Sequence, residues 1–280
     1  KIAFASNRDG GSNNISQIYV MNADGTGQTR ISDGLSSDAS PDWSPDGTKI
    51  VFVAGYRYTG QASRIYVMNV DGSGLTELSN APFDSTAPSW SPDGQKIAYQ
   101  YYDGTMELYV MNADGSGQTR LTDNTYQDEA PTWSQDGSRI AFQSNEGEGG
   151  NYEIYVIDSV NGANRVPLTE SSSDVWQTDV WQNESPRWSP QSVPGDQISF
   201  SSYRSQRDSY ITQLATPPPG STPLPARKLT DLPTDDGPAS WSSDGTLMVL
   251  ESRRTGAVSY THLRAHETLR YLVCRLLLEK

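Results

Sequence analysis

Short apolar runs recur along the chain in groups of four, separated by polar turns. Around Trp133 the group reads PTWS, RIAFQS, EIYVID and VPLT. The runs do not alternate strictly. Ile154, Tyr155 and Val156 are apolar in succession, as in strands covered on both faces. Asp-Gly closes the first turn of most groups (Asp136-Gly137), and Asn-Ala-Asp-Gly or a variant closes the third (Asp114-Gly115). Asp-Gly between apolar runs predicts a hairpin, because both residues tolerate positive φ. Each group is therefore read as four short antiparallel strands.

The groups repeat. Trp43, Trp90, Trp133, Trp188 and Trp241 close the first run of successive copies, at intervals of roughly 40–55 residues. IYVMNVDGSGLTELS, LYVMNADGSGQTRLT and IYVIDSVNGANRVPLT follow the first three, and IYVMNADGTGQTRIS stands alone near the start. A four-stranded unit that cannot bury both faces alone must stack on copies of itself, and radial stacking of such units is a β-propeller. The tryptophan rings then fill the wedge between neighbouring blades. The fold class expected is all-β: a propeller of four-stranded antiparallel blades, cut at both ends. It comprises the last three strands of one blade (Ile2 to about Ser32), four complete blades, and the first two strands of another (Trp241 to Glu251).

The motifs PxWSPDGxxIAF and IYVMNADGSGQTRLT resemble the TolB-like propeller repeat, over Lys1 to about Arg254. That resemblance implies an extracytoplasmic binding propeller of a bacterial envelope, periplasmic or at the cell surface. Similar repeats precede the α/β-hydrolase domain of prolyl-oligopeptidase-type serine peptidases. They also occur in oligogalacturonate lyases, which use histidines at the propeller mouth. Fold alone does not choose among these.

Composition narrows the choice. With a net charge of −13, the surface repels phosphate backbones and anionic lipid, so nucleic acid and membrane are poor partners. Cations or basic protein surfaces suit it better. No run before the tail has the length of a membrane-spanning helix. The chain opens at Lys1 inside a strand-like run without an initiator Met, and is read as a fragment at that end.

Both histidines, His262 and His266, and the single cysteine, Cys274, lie in the tail VSYTHLRAHETLRYLVCRLLLEK, Val258 to Lys280. Leu269, Leu272, Val273, Leu276 and Leu277 could share one face of an amphipathic helix, lying on a membrane surface or capping the fold. His262 and His266 could pair on a metal. A third reading takes precedence. In one frame a common transposase-library sequencing adapter encodes VSYTHLRAHET and, after a variable index, LVCRLLLE. The tail resembles its translation. Residues 1–256 are therefore read as propeller and 257–280 as a non-native tail, expected to stay apart from the blades.

Without the tail the chain has neither His nor Cys, so imidazole and thiol chemistry have no candidates there. No G-x-S-x-G, P-loop or dinucleotide fingerprint occurs. The expectation is no catalytic residue, no metal site and no cofactor, with calcium at the channel mouth the one ion the acids could attract. The Asn-x-Asp-Gly turns lack the spaced carboxylates of a calcium loop.

Two patterns suggest binding. The loop leading into each first strand carries acid: Asp38, Asp84, Asp128 with Glu129, Glu184, and Asp235 with Asp236. In a propeller these loops surround one mouth of the channel, where converging carboxylates would make a negative funnel. The bland alternative is acid that serves only solubility. The insertion ESSSDVWQTDVWQNES, Glu170 to Ser185, places Trp176 and Trp181 in the same class of loop. These rings could form a binding lip or a sugar platform, or pack back on the neighbouring blade. The reading that follows is a non-catalytic scaffold for a protein or basic peptide. The alternatives are the propeller of a prolyl-oligopeptidase-type enzyme without its catalytic domain, and a carbohydrate-active propeller.

Overall fold

The computed structural model describes residues 1–9, 15–33, 36–55, 62–79, 82–169, 182–189, 197–203, 207–213, 227–228, 239–241, 247–252 and 259–264. The chain divides after Trp133 into two compact units. In the first, β1 (Ile2–Ser6), β2 (Gln17–Met21) and β3 (Thr29–Arg30) form an opening three-stranded sheet. A second sheet runs β4 (Asp38–Trp43), β5 (Lys49–Ala54), β6 (Arg64–Asn69), β7 (Thr76–Glu77). A third runs β8 (Ser85–Trp90), β9 (Lys96–Tyr102), β10 (Met106–Asn112), β11 (Thr119–Arg120). Strand β12 (Asp128–Trp133) packs on β8, β9 and β10 and ends the unit.

The second unit starts with the antiparallel strands β13 (Arg139–Ser144), β14 (Glu153–Asp158) and β15 (Val166–Pro167). A four-stranded sheet follows: β16 (Gln182–Trp188), β17 (Gln197–Tyr203), β18 (Arg207–Gln213), β19 (Arg227–Lys228). The last sheet is β20 (Ser240–Trp241), β21 (Leu247–Ser252) and β22 (Ser259–Arg264). Among the described residues the helical content is one 3-10 turn, Glu148–Gly150. The architecture is all-β, built of four-stranded antiparallel propeller blades.

One expectation needs correction. Ser259–Arg264 does not stay apart: it pairs antiparallel with β21, Val249 facing His262. The reason is the edge of β21. Its run Leu-Met-Val-Leu offers unpaired backbone groups that an adjacent extended segment with Tyr260 and Thr261 can satisfy. The run from Ala265 to Lys280, and with it the helix reading and His266, lies outside the described residues.

The second sheet shows why its strands do not alternate. Val51, Ile65 and Val67 pack on Trp90, Ile97, Tyr99 and Met111 of the third sheet. From the other face, Ile50, Phe52 and Met68 meet Ile18 and Val20 of the opening sheet. In the second unit Trp188 and Ile198 pack on Ala141 and Val156. All five repeat tryptophans end first strands, and their burial differs. Trp90, Trp133 and Trp188 are buried, whereas Trp43 and Trp241 are only half-buried. The cause at Trp43 is its neighbour, since the opening sheet has no first strand to lie against it. Trp90 N–H donates to Asp42 Oδ2 (2.8 Å) and Trp133 Nε1–H to Ser89 O (3.1 Å), each in the preceding first strand.

The turns refine the hairpin reading. In Ser-Pro/Gln-Asp-Gly only the glycine is left-handed, with φ of 69–70° at Gly47, Gly94 and Gly137. The aspartate keeps negative φ and works through its side chain. The Ser44 hydroxyl donates to Asp46 Oδ1 (2.6 Å) and accepts from Lys49 N–H (2.9 Å), and Thr48 N–H donates to Asp46 (3.0 Å). Ser91–Asp93 and Ser134–Asp136 repeat the arrangement.

The first strands carry a feature absent from the sequence reading. Ser40, Ala87, Ala130 and Ser185, each before a proline, have φ of 48–54°. The register of β4, β8 and β16 shifts there by a bulge. Proline cannot donate to a ladder, and these first strands, each at the edge of its sheet, hold it at the bulge.

Candidate functional site

Chain direction fixes two ends in every blade. The first and third strands start at the end where the loops between second and third strands, and between one blade and the next, gather. The tight Asp-Gly turns occupy the other end.

At the loop end four of the blades are each latched by one hydroxyl. Ser32, Ser79, Thr122 and Thr169 accept the N–H of Ile18, Ile65, Leu108 and Ile154, at 2.9–3.0 Å. Ser32 in turn donates to Gln17 Oε1 (2.9 Å) and Thr122 to Glu107 Oε2 (2.6 Å), and Thr169 donates to Glu153. Glu107 is fully buried and also accepts Asn124 N–H (3.0 Å). The Arg120 guanidinium gathers three carboxylates: Asp103 (3.2 Å), Glu107 (3.1 Å) and Asp123 (2.9 Å). Burial, then the hydrogen bond it donates to Asp103, push the Tyr109 phenol up to about 12.

The acids proposed from sequence fall into different registers. Asp38 and Asp128 stand five residues before their tryptophans, Asp84 six before, Glu129 and Glu184 four before. Successive strand residues point to opposite faces, so these carboxylates do not form one equivalent set. Asp38 and Asp128 are buried, 1% and 0% exposed. Asp38 accepts from the Ser36 hydroxyl (2.5 Å) and lines a small cleft with Asp33, Phe52 and Tyr66. Asp128 accepts from Asn124 Nδ2 (2.8 Å). Asp84 is half-buried and accepts Ser63 N–H (2.5 Å), while Glu129 is half-exposed. Backbone register puts Glu184 opposite Ser201 in β16. The Glu184 side chain, Asp235, Asp236, Trp176 and Trp181 lie outside the described residues. Among the described residues no three His, Cys, Asp or Glu side chains are placed to hold a metal ion.

Two groups of residues escaped the sequence reading. Gln100 and Gln143 accept, through Oε1, the bulge N–H of the following first strand: Ala130 N–H (2.8 Å) and Ser185 N–H (2.7 Å). The proline in each first strand was the available signal for a bulge needing such an acceptor. The second group is aromatic. Phe83, Tyr102 and Tyr126 are exposed at the loop end of the third sheet, and the Phe83 ring meets those of Tyr101 and Tyr102. They break the repeat, and that departure was the signal.

A family model described as the TolB beta propeller domain matches residues 2–183. No curated protein matches the chain. Among solved structures, TolB from Acinetobacter baumannii superposes with a TM-score of 0.71 at 21% identity, over 94% of this chain and 60% of that one. The chain thus spans about 60% of the length of that TolB. A puromycin-hydrolyzing peptidase of Mycobacterium tuberculosis gives 0.64 at 16% identity, over 94% of this chain and 41% of the peptidase. An oligogalacturonate lyase from Vibrio parahaemolyticus gives 0.60 at 14% identity, over 96% and 75%. At these identities the likeness is one of fold.

Proposed function

The chain belongs to the TolB beta-propeller domain family, and on that premise we propose that it is a non-catalytic, extracytoplasmic propeller that binds a protein or basic peptide. Binding takes place at the loop end of the blades. The observation that carries this reading is a group of partly exposed acids at the loop end of the first unit, on loops tied to the blades by hydrogen bonds. At the turn end, Asp46, Asp93 and Asp136 are exposed as well, but each is bound within its own turn by a serine hydroxyl. At the loop end of the first unit, Asp84 and Glu129 are half-exposed and Asp123 lies 84% open to water. Carboxylates that face solvent around rigidly held loops attract cationic partners from a distance.

Extracytoplasmic placement rests on the family. Among the described residues no helix is long and apolar enough to cross a membrane. The likeness to a peptidase and a lyase is one of fold and brings neither activity to this chain.

The test is salt-dependent binding of an arginine-rich peptide to the full chain. Asp84→Asn with Glu129→Gln should weaken binding several-fold, and the effect should shrink as salt brings the Debye length toward about 8 Å. Asp46→Asn with Asp93→Asn should leave affinity nearly unchanged. Equal weakening by both pairs would show that only bulk charge acts and would remove the proposal.

A further inference from the structure

We infer that Phe83, Tyr101 and Tyr102, with Tyr126 exposed in the adjoining loop, form a ledge on which a partner protein docks an extended segment, with its arginine or lysine side chains lying across the rings. The inference rests on the binding function proposed above and names where the principal contact falls.

Large rings are seldom left in water without a use. Phe83 is 49% exposed, Tyr102 41% and Tyr126 38%, all at the loop end of one blade. Phe83 lies 6.4 Å from Tyr101 and 6.2 Å from Tyr102, meeting the latter edge-on. Tyr101 stands edge-on to Tyr109 at 5.3 Å, and the Tyr109 hydroxyl donates to Asp103 (2.8 Å).

The backbone beneath is fixed. Arg64 Nη1 donates to Phe83 O (3.1 Å), Tyr102 N–H to Asp84 O (3.0 Å), and Tyr126 N–H to Asn124 Oδ1 (2.7 Å). Gln127 Oε1 accepts Met106 N–H (2.9 Å), and Met106 faces Tyr102 across the hairpin. This ties the Tyr126 loop to the same end. Rings held in this way bind at low entropic cost.

Charge selects the occupant. Asp84 and Asp103 directly follow Phe83 and Tyr102 in the chain, and the two guanidinium groups at this end are already engaged, Arg64 with Glu77 (3.8 Å) and Arg120 with three carboxylates. A cation over the face of Tyr or Phe gains from ring and carboxylate together. A second copy of a chain with net charge −13 would bring the same repulsive acids. Polyanions, including uronate sugars and nucleic acid, are disfavoured for the same reason.

The test uses fluorescence anisotropy with the full chain and a fluorescein-labelled peptide alternating arginine with leucine. Its glutamate-for-arginine counterpart serves as control. Phe83→Ala with Tyr102→Ala should raise Kd roughly tenfold or more, as loss of aromatic anchors does. Tyr102→Phe, which keeps the ring, should bind like the parent. Circular dichroism melts check that each variant stays folded.

Unchanged affinity in the double alanine variant, with weakening by Asp84→Asn and Glu129→Gln, would overturn the ledge and keep the acidic-end reading. Absence of peptide binding at low salt would overturn both. Ring-dependent binding of cellohexaose without peptide binding would replace the peptide by a neutral sugar.

Discussion

Alanine at Gly115 should cost far more stability than alanine at Gly25, although the two glycines occupy the same turn position. Their φ angles are +85° and +84°. An alanine in this left-handed region costs about 1–2 kcal/mol wherever it stands. The surroundings differ. A Cβ on Gly25 meets nothing within 4 Å. On Gly115 it would lie 2.7 Å from the Leu78 carbonyl oxygen and 3.1 Å from the Leu78 Cα, both backbone atoms of the preceding sheet. On Gly72, at φ +84°, the Ile31 carbonyl oxygen would be only 2.4 Å away. Backbone cannot turn aside as a side chain can, so the sheets must shift, and overpacking of this kind costs about 1–3 kcal/mol. The expected losses are therefore about 1–2 kcal/mol for Gly25→Ala and about 2–5 kcal/mol for Gly115→Ala and Gly72→Ala. Urea unfolding followed by tryptophan fluorescence measures them, since Trp43, Trp90 and Trp133 report on the unit that holds all three glycines. Equal losses at Gly25 and Gly115 would refute the close approach of turn to neighbouring sheet.

Other outcomes follow from the same contacts. The carboxyl of Asp46 is held down at about 2 by the Ser44 hydroxyl and the Thr48 N–H, and Asp24, Asp71, Asp93, Asp114 and Asp136 are also lowered, mainly by serine or threonine hydroxyls. A folded pKa below the unfolded value of about 3.9 gives stability that is complete above that value and lost as pH falls toward about 2. The urea midpoint should therefore drop between those limits, and Asp46→Asn should flatten the decline; a midpoint indifferent to pH there would contradict it. Glu107→Ala should cost about 1–3 kcal/mol in urea unfolding, because it orphans the Thr122 hydroxyl and the Asn124 N–H that Glu107 accepts. Gln100→Leu should cost about 1–2 kcal/mol by orphaning the Ala130 N–H. Truncation after Gly256 removes β22 and bares the edge of β21, so soluble yield and thermal midpoint should fall; an unchanged midpoint would instead fit the adapter reading of the tail.

What could be read from sequence is what the blades share. The first-strand tryptophans, the Ser-x-Asp-Gly turns and the four-strand rhythm recur because every blade solves the same packing problem. Repetition makes such positions visible in one sequence. The acids of the inter-blade loops were visible too, but their register was not. Counting acid before each proline grouped Asp38 with Asp84, whereas one residue of offset on a strand turns a side chain to the opposite face. The irregularities at Ser40, Ala87, Ala130 and Ser185 were signalled by the proline that follows each and passed over as ordinary strand. Strand β22 was missed because the unpaired edge of β21, not the tail's own composition, creates it.

The ledge was missed for a more instructive reason. Tyr101 and Tyr102 replace Ala54 and Gly55 of the second sheet, and Ser144 and Asn145 at the matching positions after β12. Phe83 and Tyr126 sit in loops whose sequences differ from blade to blade. None belongs to the repeat, so a search for recurring motifs passes over them all. Yet a shared position answers the shared demand of stacking, and a ring that only one blade carries answers no such demand. An exposed aromatic cluster that the fold does not need, held on a backbone that the fold makes rigid, is where selection for a partner acts without disturbing the stack. In a repeat protein the search for function therefore belongs at the departures from the repeat. Here the described departures at the loop end converge on the one blade that holds Phe83 and Tyr102.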